Sequence, residues 1–227
     1  MMRIYPANEH QSEIGVRSGV VRKATASDVP GIVTIHQKAF SHSFLTRLGG
    51  GFLANYYGLV LNYGAGIILV SERQNVLEGF VCGFVDPAEF YRLMWRSRRT
   101  FALPVLSKLV RHPSLATKVL YGVQRIQTPS PEWPARSCEL SSIAVAPEKS
   151  GNGLGKALMR AFLAQARLME AQCVYLTTDA EGNDAANAFY RDVGFQQTRR
   201  FLQRKGRWMN EYVINAMEGG AGCEKHL

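Results

Sequence analysis

Ile143-Ala144-Val145-Ala146-Pro147-Glu148-Lys149-Ser150-Gly151-Asn152-Gly153-Leu154-Gly155-Lys156-Ala157-Leu158 runs from an apolar strand, through a glycine-rich turn, into a helix. The helix continues its apolar spacing at Ala161, Phe162 and Leu168. Glycines at such a junction let backbone N–H groups approach an anion, and the helix N-terminus adds positive potential. Two common phosphate-binding patterns fail on spacing. A P-loop ending at Gly155-Lys156 needs Gly at 150 and Ser or Thr at 157, where the chain has Ser150 and Ala157. A dinucleotide fingerprint counted from Gly151 lands on Lys156, and from Gly153 on Leu158.

Outward from this turn, the pattern alternates. Ser137–Ala146 precedes it as a strand, and after the helix come a strand at Cys173–Thr178 and a short helix at Asp184–Asp192 ending at Gly194. Strands at Phe195–Leu202 and Trp208–Ala216 close the chain around Arg204-Lys205-Gly206. Upstream, Val20–Ala24 reads as a strand and Ser27 as the cap of a helix with Pro30 in its first turn and Ile32, Ile35, His36 and Phe40 on one face. Phe44 to Leu61 reads as helix, weakened or split by the glycines at 49–51. Gly66–Ser71 and Val76–Val85 form a hairpin around Glu72-Arg73-Gln74-Asn75. This order predicts an α/β (α+β) three-layer protein, with a mixed central sheet and helices on both faces.

Residues 86–136 differ in character. Nine Lys/Arg (Arg92, Arg96, Arg98, Arg99, Lys108, Arg111, Lys118, Arg125, Arg136) face three acids (Asp86, Glu89, Glu132), a net +6. Phe90, Leu93, Met94, Phe101, Leu106, Leu109, Leu115, Val119 and Val123 fall at helical spacings, so two or three basic amphipathic helices are expected, broken near Pro104 and Pro113. Residues 1–18 read as a flexible arm, 19–217 as a single domain containing the 86–136 insert, and 218–227 as a flexible tail.

The whole chain of 227 residues carries a net +9, so the insert holds most of the excess. A basic balance suits nucleic acid, a membrane surface or an anionic small molecule and does not choose among them. Cys82, Cys138 and Cys173 lie in apolar runs and are read as buried thiols in a reducing compartment. The N-terminal stretch lacks the apolar centre of a signal peptide, so a cytoplasmic protein is expected. His36 and His42 are read as plain packing or surface residues, and no metal site is expected from ligand spacing.

Two segments in order resemble the GNAT acyltransferases. Ile143-Ala144-Val145-Ala146-Pro147 leading into Ser150-x-x-Gly153-x-Gly155 is similar to the family's [QR]-x-x-G-x-[GA] pyrophosphate loop, with Ser150 replacing the usual Gln or Arg. Asn183-x-x-Ala186-x-x-x-Tyr190-x-x-x-Gly194-Phe195 resembles the signature that follows one helix and one strand later. Val21-Arg22-Lys23-Ala24-Thr25-x-x-Asp28 looks like the family's opening, and 86–136 lies outside the resemblance.

The resemblance implies a GNAT-like, mostly antiparallel sheet and acetyl-CoA as co-substrate. It implies that backbone groups of Ile143, Ala144 and Val145 pair with pantetheine, an N–H near Ile143 facing the thioester oxygen. Ser150, Gly151, Asn152, Gly153, Leu154, Gly155 and Lys156 would hold the pyrophosphate, and Asn183 the pantetheine arm. Tyr190 would be the general acid and Glu139 the base, with Ser141 and Ser142 in the same strand able to relay protons. The acceptor is a primary amine. The cationic insert disfavours polycations and favours an anionic acceptor such as a nucleotide-linked amino sugar or an acidic peptide. The alternatives are a protein N-terminal or lysine acetyltransferase, and a non-catalytic CoA-binding or membrane-surface module. Nucleic acid is not expected, since the basic segment lacks a reading motif. Peripheral membrane contact is physically available but not favoured, and a homodimer is compatible with the sequence.

Overall fold

The structure is a computed structural model that describes residues 19–41, 43–111, 133–134, 136–203 and 206–216. The expected N-terminal arm and C-terminal tail, His42, and the part of the basic insert around Pro113, Lys118 and Arg125 lie outside the described residues.

Seven strands form one sheet: β1 Val20–Lys23, β2 Gly66–Arg73, β3 Val76–Val85, β4 Ser137–Val145, β5 Cys173–Asp179, β6 Gln196–Gln203 and β7 Arg207–Asn215. Their spatial order is β1-β2-β3-β4-β5-β7-β6. Every neighbouring pair is antiparallel except β4 and β5. Helices α1 Val29–Ala39, α2 Phe44–Leu48, α3 Gly50–Asn62, α4 Pro87–Arg96 and α5 Arg98–Arg111 precede β4. Helix α6 Leu154–Leu168 and α7 Asp184–Asp192 follow it. This is the mixed, mostly antiparallel three-layer architecture expected from the sequence.

Strand alternation divides the core in two. Phe80, Cys82 and Phe84 of β3 pack with Ile32, Phe52, Leu53, Tyr57 and Phe90 from α1, α3 and α4. Val81 and Val85 point to the other face, against Leu154, Leu158, Met159 and Phe162 of α6. Burial of side chains this large contributes roughly 1.5–3 kcal/mol each, so both helical layers are held firmly to the sheet.

Three local readings need correction, and a fourth, the split at 49–51, is borne out. A 3-10 turn at Ala26–Asp28 precedes α1 and is capped by Thr25, whose backbone N–H donates to Asp28 Oδ2 at 2.7 Å; Asp28 stands at the N-cap of α1, and the Ser27 hydroxyl is hydrogen-bonded to the Thr25 side chain instead. Helix 44–61 is split at Gly49, whose φ of 95° lies where side chains are strained, and Ser43 caps the first piece by accepting from Thr46 N. Pro104 lies inside α5 rather than breaking it. A proline leaves the carbonyl four residues back without its helical donor, and here Asn55 Nδ2 of α3 donates to Thr100 O at 2.9 Å. Cys82 and Cys138 are buried free thiols whose pKa burial pushes up, but Cys173 is disulfide-bonded, to a partner outside the described residues. It stands opposite Asn215 at the end of β7.

The ends of segment 86–136 meet. Asp86 N donates to Ser137 O at 3.0 Å, and Arg136 N donates to Asp86 Oδ1 at 2.8 Å. The Arg136 guanidinium also caps the C-terminus of α6 through the carbonyls of Met169 and Glu170.

Candidate active site

Strand β4 is the axis of the site. Its pairing with β3 shifts register between Cys82, opposite Ser142, and Gly83, opposite Leu140, so Ser141 is the extra residue of a β-bulge. Gly83 is required there: a Cβ would sit 2.3 Å from Glu139 O and 2.5 Å from Phe162. The bulge changes which face each residue takes. Cys138, Leu140, Ile143 and Val145 pack toward α6. Ala144 joins the core on the opposite face, and the polar side chains of Glu139, Ser141 and Ser142 turn that way too.

Ser141 and Glu139 each meet a phenol. Tyr56 Oη and Ser141 Oγ lie 2.5 Å apart. Tyr57 Oη is hydrogen-bonded to His36 Nδ1 at 2.6 Å. Tyr91 donates to Glu139 Oε1 at 2.8 Å and Tyr175 to Oε2 at 3.0 Å. Burial pushes both Tyr56 and Tyr57 well above the usual phenol range. Burial also lowers His36 to about 4, so this packing histidine is neutral at physiological pH. Its ring is 2% exposed and lies 4.9 Å from Phe40.

On the far side of Glu139, β4 leaves β5. The parallel pairing covers only Ser137↔Cys173, Cys138↔Val174 and Glu139↔Tyr175. Beyond that rung β4 stays with β3 up to Val145, and β5 stays with β7 up to Asp179. The backbone of Ile143, Ala144 and Val145 therefore borders a gap between two parted strands.

The gap leads to the glycine turn. Pro147–Lys149 form a single 3-10 turn, closed by Ser150 Oγ donating to Pro147 O at 2.7 Å. Ser150 thus points back into the turn. Gly151 and Gly153 have φ of 82° and 75°, and Gly153 is the left-handed cap of α6. Ala157 N makes the first hydrogen bond, to Gly153 O, so the amides of Leu154, Gly155 and Lys156 have no acceptor among the described residues. These orphan donors and the helix dipole form an anion cradle. Lys156 stands beside it, paired with Asp192 at 3.0 Å, and Lys149 pairs with buried Glu78 at 3.4 Å.

Tyr190 lies on the α6 face, against Phe189, Phe195 and Tyr212. Burial raises its pKa to about 12, and its hydroxyl makes no hydrogen bond among the described residues. It is on the opposite face of the sheet from Glu139. Asn183, at the start of α7, donates from Nδ2 to Thr178 Oγ1 at 2.7 Å near the end of β5.

Three residues escaped the sequence reading, Asn187 first among them. Asn187 is buried, donates to the carbonyls of Asp179 and Asn183, and accepts from Asn210 Nδ2 and Tyr212 Oη, all at 2.8–2.9 Å. It locks α7, and with it Tyr190, to β5 and β7. It sits inside the Asn183–Phe195 motif, but an Asn in a helix gives no local sign of its two long-range partners, Asn210 and Tyr212. Tyr91 and Tyr175 were missed for the same reason.

Among the described residues no cluster of His, Cys, Asp and Glu could hold a metal ion, and no helix is long and apolar enough to cross a membrane.

Comparison with known proteins agrees with this geometry. The family model "Acetyltransferase (GNAT) family" matches residues 120–195, which include the glycine turn and the Asn183–Phe195 motif. No curated protein matches the sequence. Among solved structures, a protein assigned to the GNAT acetyltransferases from Desulfovibrio desulfuricans superposes with a TM-score of 0.59 at 15% identity, covering 87% of this chain and 99% of that one. A Salmonella typhimurium protein assigned as an acetyltransferase, solved with acetyl-CoA, gives 0.58 at 18%, covering 89% and 96%. The ribosomal-protein-S18-alanine N-acetyltransferase of Escherichia coli gives 0.55 at 14%, covering 88% and 96%. At these identities the likeness is one of fold. The family model thus lies across both motifs, and the fold of the chain is that of solved GNAT acetyltransferases.

Proposed function

We propose that acetyl-CoA lies along the parted edge of β4, and that a primary amine enters from the α3/α4 side to meet it near Glu139. The observation that carries this reading is the end of β4–β5 pairing at Glu139↔Tyr175, with the anion cradle at the other end of β4. The backbone of Ile143, Ala144 and Val145 pairs with the pantetheine arm, and an N–H near Ile143 faces the thioester oxygen. The amides from Gly151 to Lys156 take the pyrophosphate, and Asn183 borders the arm.

Glu139 removes a proton from the incoming ammonium, and the amine nitrogen attacks the thioester carbonyl. The C–N bond forms as the carbonyl becomes an oxyanion, which backbone N–H groups stabilise. Collapse breaks the C–S bond as Tyr190 supplies the proton to the departing sulfur; the second amine proton leaves the amide nitrogen for solvent, from which the Tyr190 phenolate is reprotonated. A phenol held at about 12 stays protonated at neutral pH, which suits a donor.

For the acceptor we favour a molecule whose negative charge is remote from its amine, such as a nucleotide-linked amino sugar. Arg92, Arg96, Arg98 and Arg99 are all exposed, so they meet an acceptor at the rim rather than at Glu139. A peptide amine is the second reading, favoured by the apolar wall that Trp133 makes by stacking on Tyr175 at 4.5 Å. A panel assayed by CoA-thiol release, with nucleotide-linked amino sugars and peptide N-termini as separate groups, decides between them. Turnover with neither, at measured acetyl-CoA binding, points to a non-catalytic CoA-binding module.

A further inference from the structure

We infer that Tyr91 and Tyr175 are positioning residues that hold the Glu139 carboxylate for the acceptor amine, and that Tyr91 is how the 86–136 segment reaches the reaction. The inference rests on the function proposed above. Each oxygen of Glu139 accepts from a different phenol, at 2.8 Å from Tyr91 and 3.0 Å from Tyr175. Hydrogen bonds to an ionised acceptor are stronger than neutral ones, and two on separate oxygens fix both the place and the rotation of the carboxylate plane. A carboxylate has about four lone-pair sites, so two remain for an incoming amine.

Both phenols are held by their surroundings. Tyr175 is the parallel-ladder partner of Glu139, and Trp133 covers its ring with planes only 12° apart. Tyr91 lies edge-on to Phe84 at 5.7 Å, and Phe84 stands opposite Glu139 on β3. Phe90 stacks on Phe84 at 3.9 Å and docks the whole of α4. The Asp86–Ser137 and Asp86–Arg136 bonds fasten the start of α4 to the start of β4, two residues from Glu139. The segment that carries most of the chain's positive charge therefore places a neutral phenol inward. Its arginines lie exposed: Arg92 and Arg96 against Glu89, and Arg98 over Trp95.

The test is a double-mutant cycle of Tyr91→Phe and Glu139→Gln in the full chain. It is read by CoA-thiol release with two probe acceptors, a nucleotide-linked amino sugar and an alanine-initiated peptide. Tyr91→Phe keeps the ring and its packing and removes only the donor. It should lower kcat about tenfold, leave acetyl-CoA affinity within about twofold, and leave the melting temperature in place. In the Glu139→Gln background it should change kcat no further, because residues that act through one group are not additive. Tyr175→Phe should behave likewise and serves if Tyr91→Phe does not fold. An unchanged kcat, or a full tenfold loss persisting without the Glu139 carboxylate, overturns the inference alone. If the wild type turns over neither probe, the function proposed above falls and takes this inference with it.

Discussion

Glu139 and Tyr175 form the last rung of parallel pairing between β4 and β5, and their side chains are themselves bonded at 3.0 Å. The bond pins the two strands at the point where they separate. Past it, each strand keeps its antiparallel neighbour and turns an unpaired edge to the gap. Unpaired backbone groups inside a fold are costly unless something pairs with them, and an extended pantetheine arm has amides suited to that edge. The candidate base, the apex of the gap and the acceptor side of the sheet thus share one pair of residues. Candidate acid Tyr190 approaches from the other face.

The anion cradle can be tested at Gly153. Nothing lies within 4 Å of a Cβ placed there, so Gly153→Glu costs mainly its left-handed backbone, φ 75°, roughly 1–2 kcal/mol. The added carboxylate would enter the space proposed for the pyrophosphate. Calorimetry on the folded variant should find acetyl-CoA binding abolished; retained affinity would move the cofactor elsewhere.

For Tyr190, Tyr190→Phe keeps the contacts with Phe189, Phe195 and Tyr212. Turnover should fall about 10- to 1000-fold if the hydroxyl protonates the leaving thiolate. Acetyl-CoA affinity should barely change, and equal losses in both would assign Tyr190 to packing.

His36 should make stability depend on pH. Its folded pKa is lowered to about 4 by burial, from 6.5. A lowered histidine pKa means that the unfolded chain binds the proton more readily, so this contribution is present above 6.5 and lost as pH falls toward 4. At 1.36 kcal/mol per unit the loss is about 3 kcal/mol. Asp28, held below the usual carboxylate range by Arg22, acts only under its unfolded value of 3.8, a separate window. Denaturant melts from pH 7 to 4 should show the slope in the wild type and its loss in His36→Gln. A parallel slope in both would assign the pH dependence to other groups.

The elements and the glycine turn were legible because their signals are local: period-two runs for strands, three- and four-residue spacing for helices, glycines where the chain must turn. What was not legible depends on residues far apart. The bulge at Ser141 leaves no mark in its own strand; it answers to Gly83, and it turns Ser141 toward Tyr56. Pro104 reads as a breaker until Asn55, 45 residues away in the exchange with Thr100, satisfies the freed carbonyl. Glu139 was found by its distance from the turn, whereas its partners Tyr91 and Tyr175 come from 48 and 36 residues away.

The basic face of α4 and α5 yields the last prediction. Arg96, Arg98 and Arg99 are exposed; Arg96 lies 3.9 Å from Glu89, and Arg98 donates to Trp95 O and lies over its ring. Exposed pairs of this kind contribute about 0–1 kcal/mol, so replacing all three with Gln should leave the fold intact. Tyr91, on the inner side of the same helix, still reaches Glu139, so kcat should hold. An acceptor with remote phosphate loses bidentate partners that arginine is suited to provide. Its KM should therefore rise, and the salt dependence of KM should flatten because fewer charges are left to screen. The KM of acetyl-CoA should stay fixed, since the amides of Leu154, Gly155 and Lys156 form a separate anion site. If KM for every acceptor is unmoved while binding to anionic liposomes collapses, these arginines dock the protein on a membrane and the charge-selection argument fails.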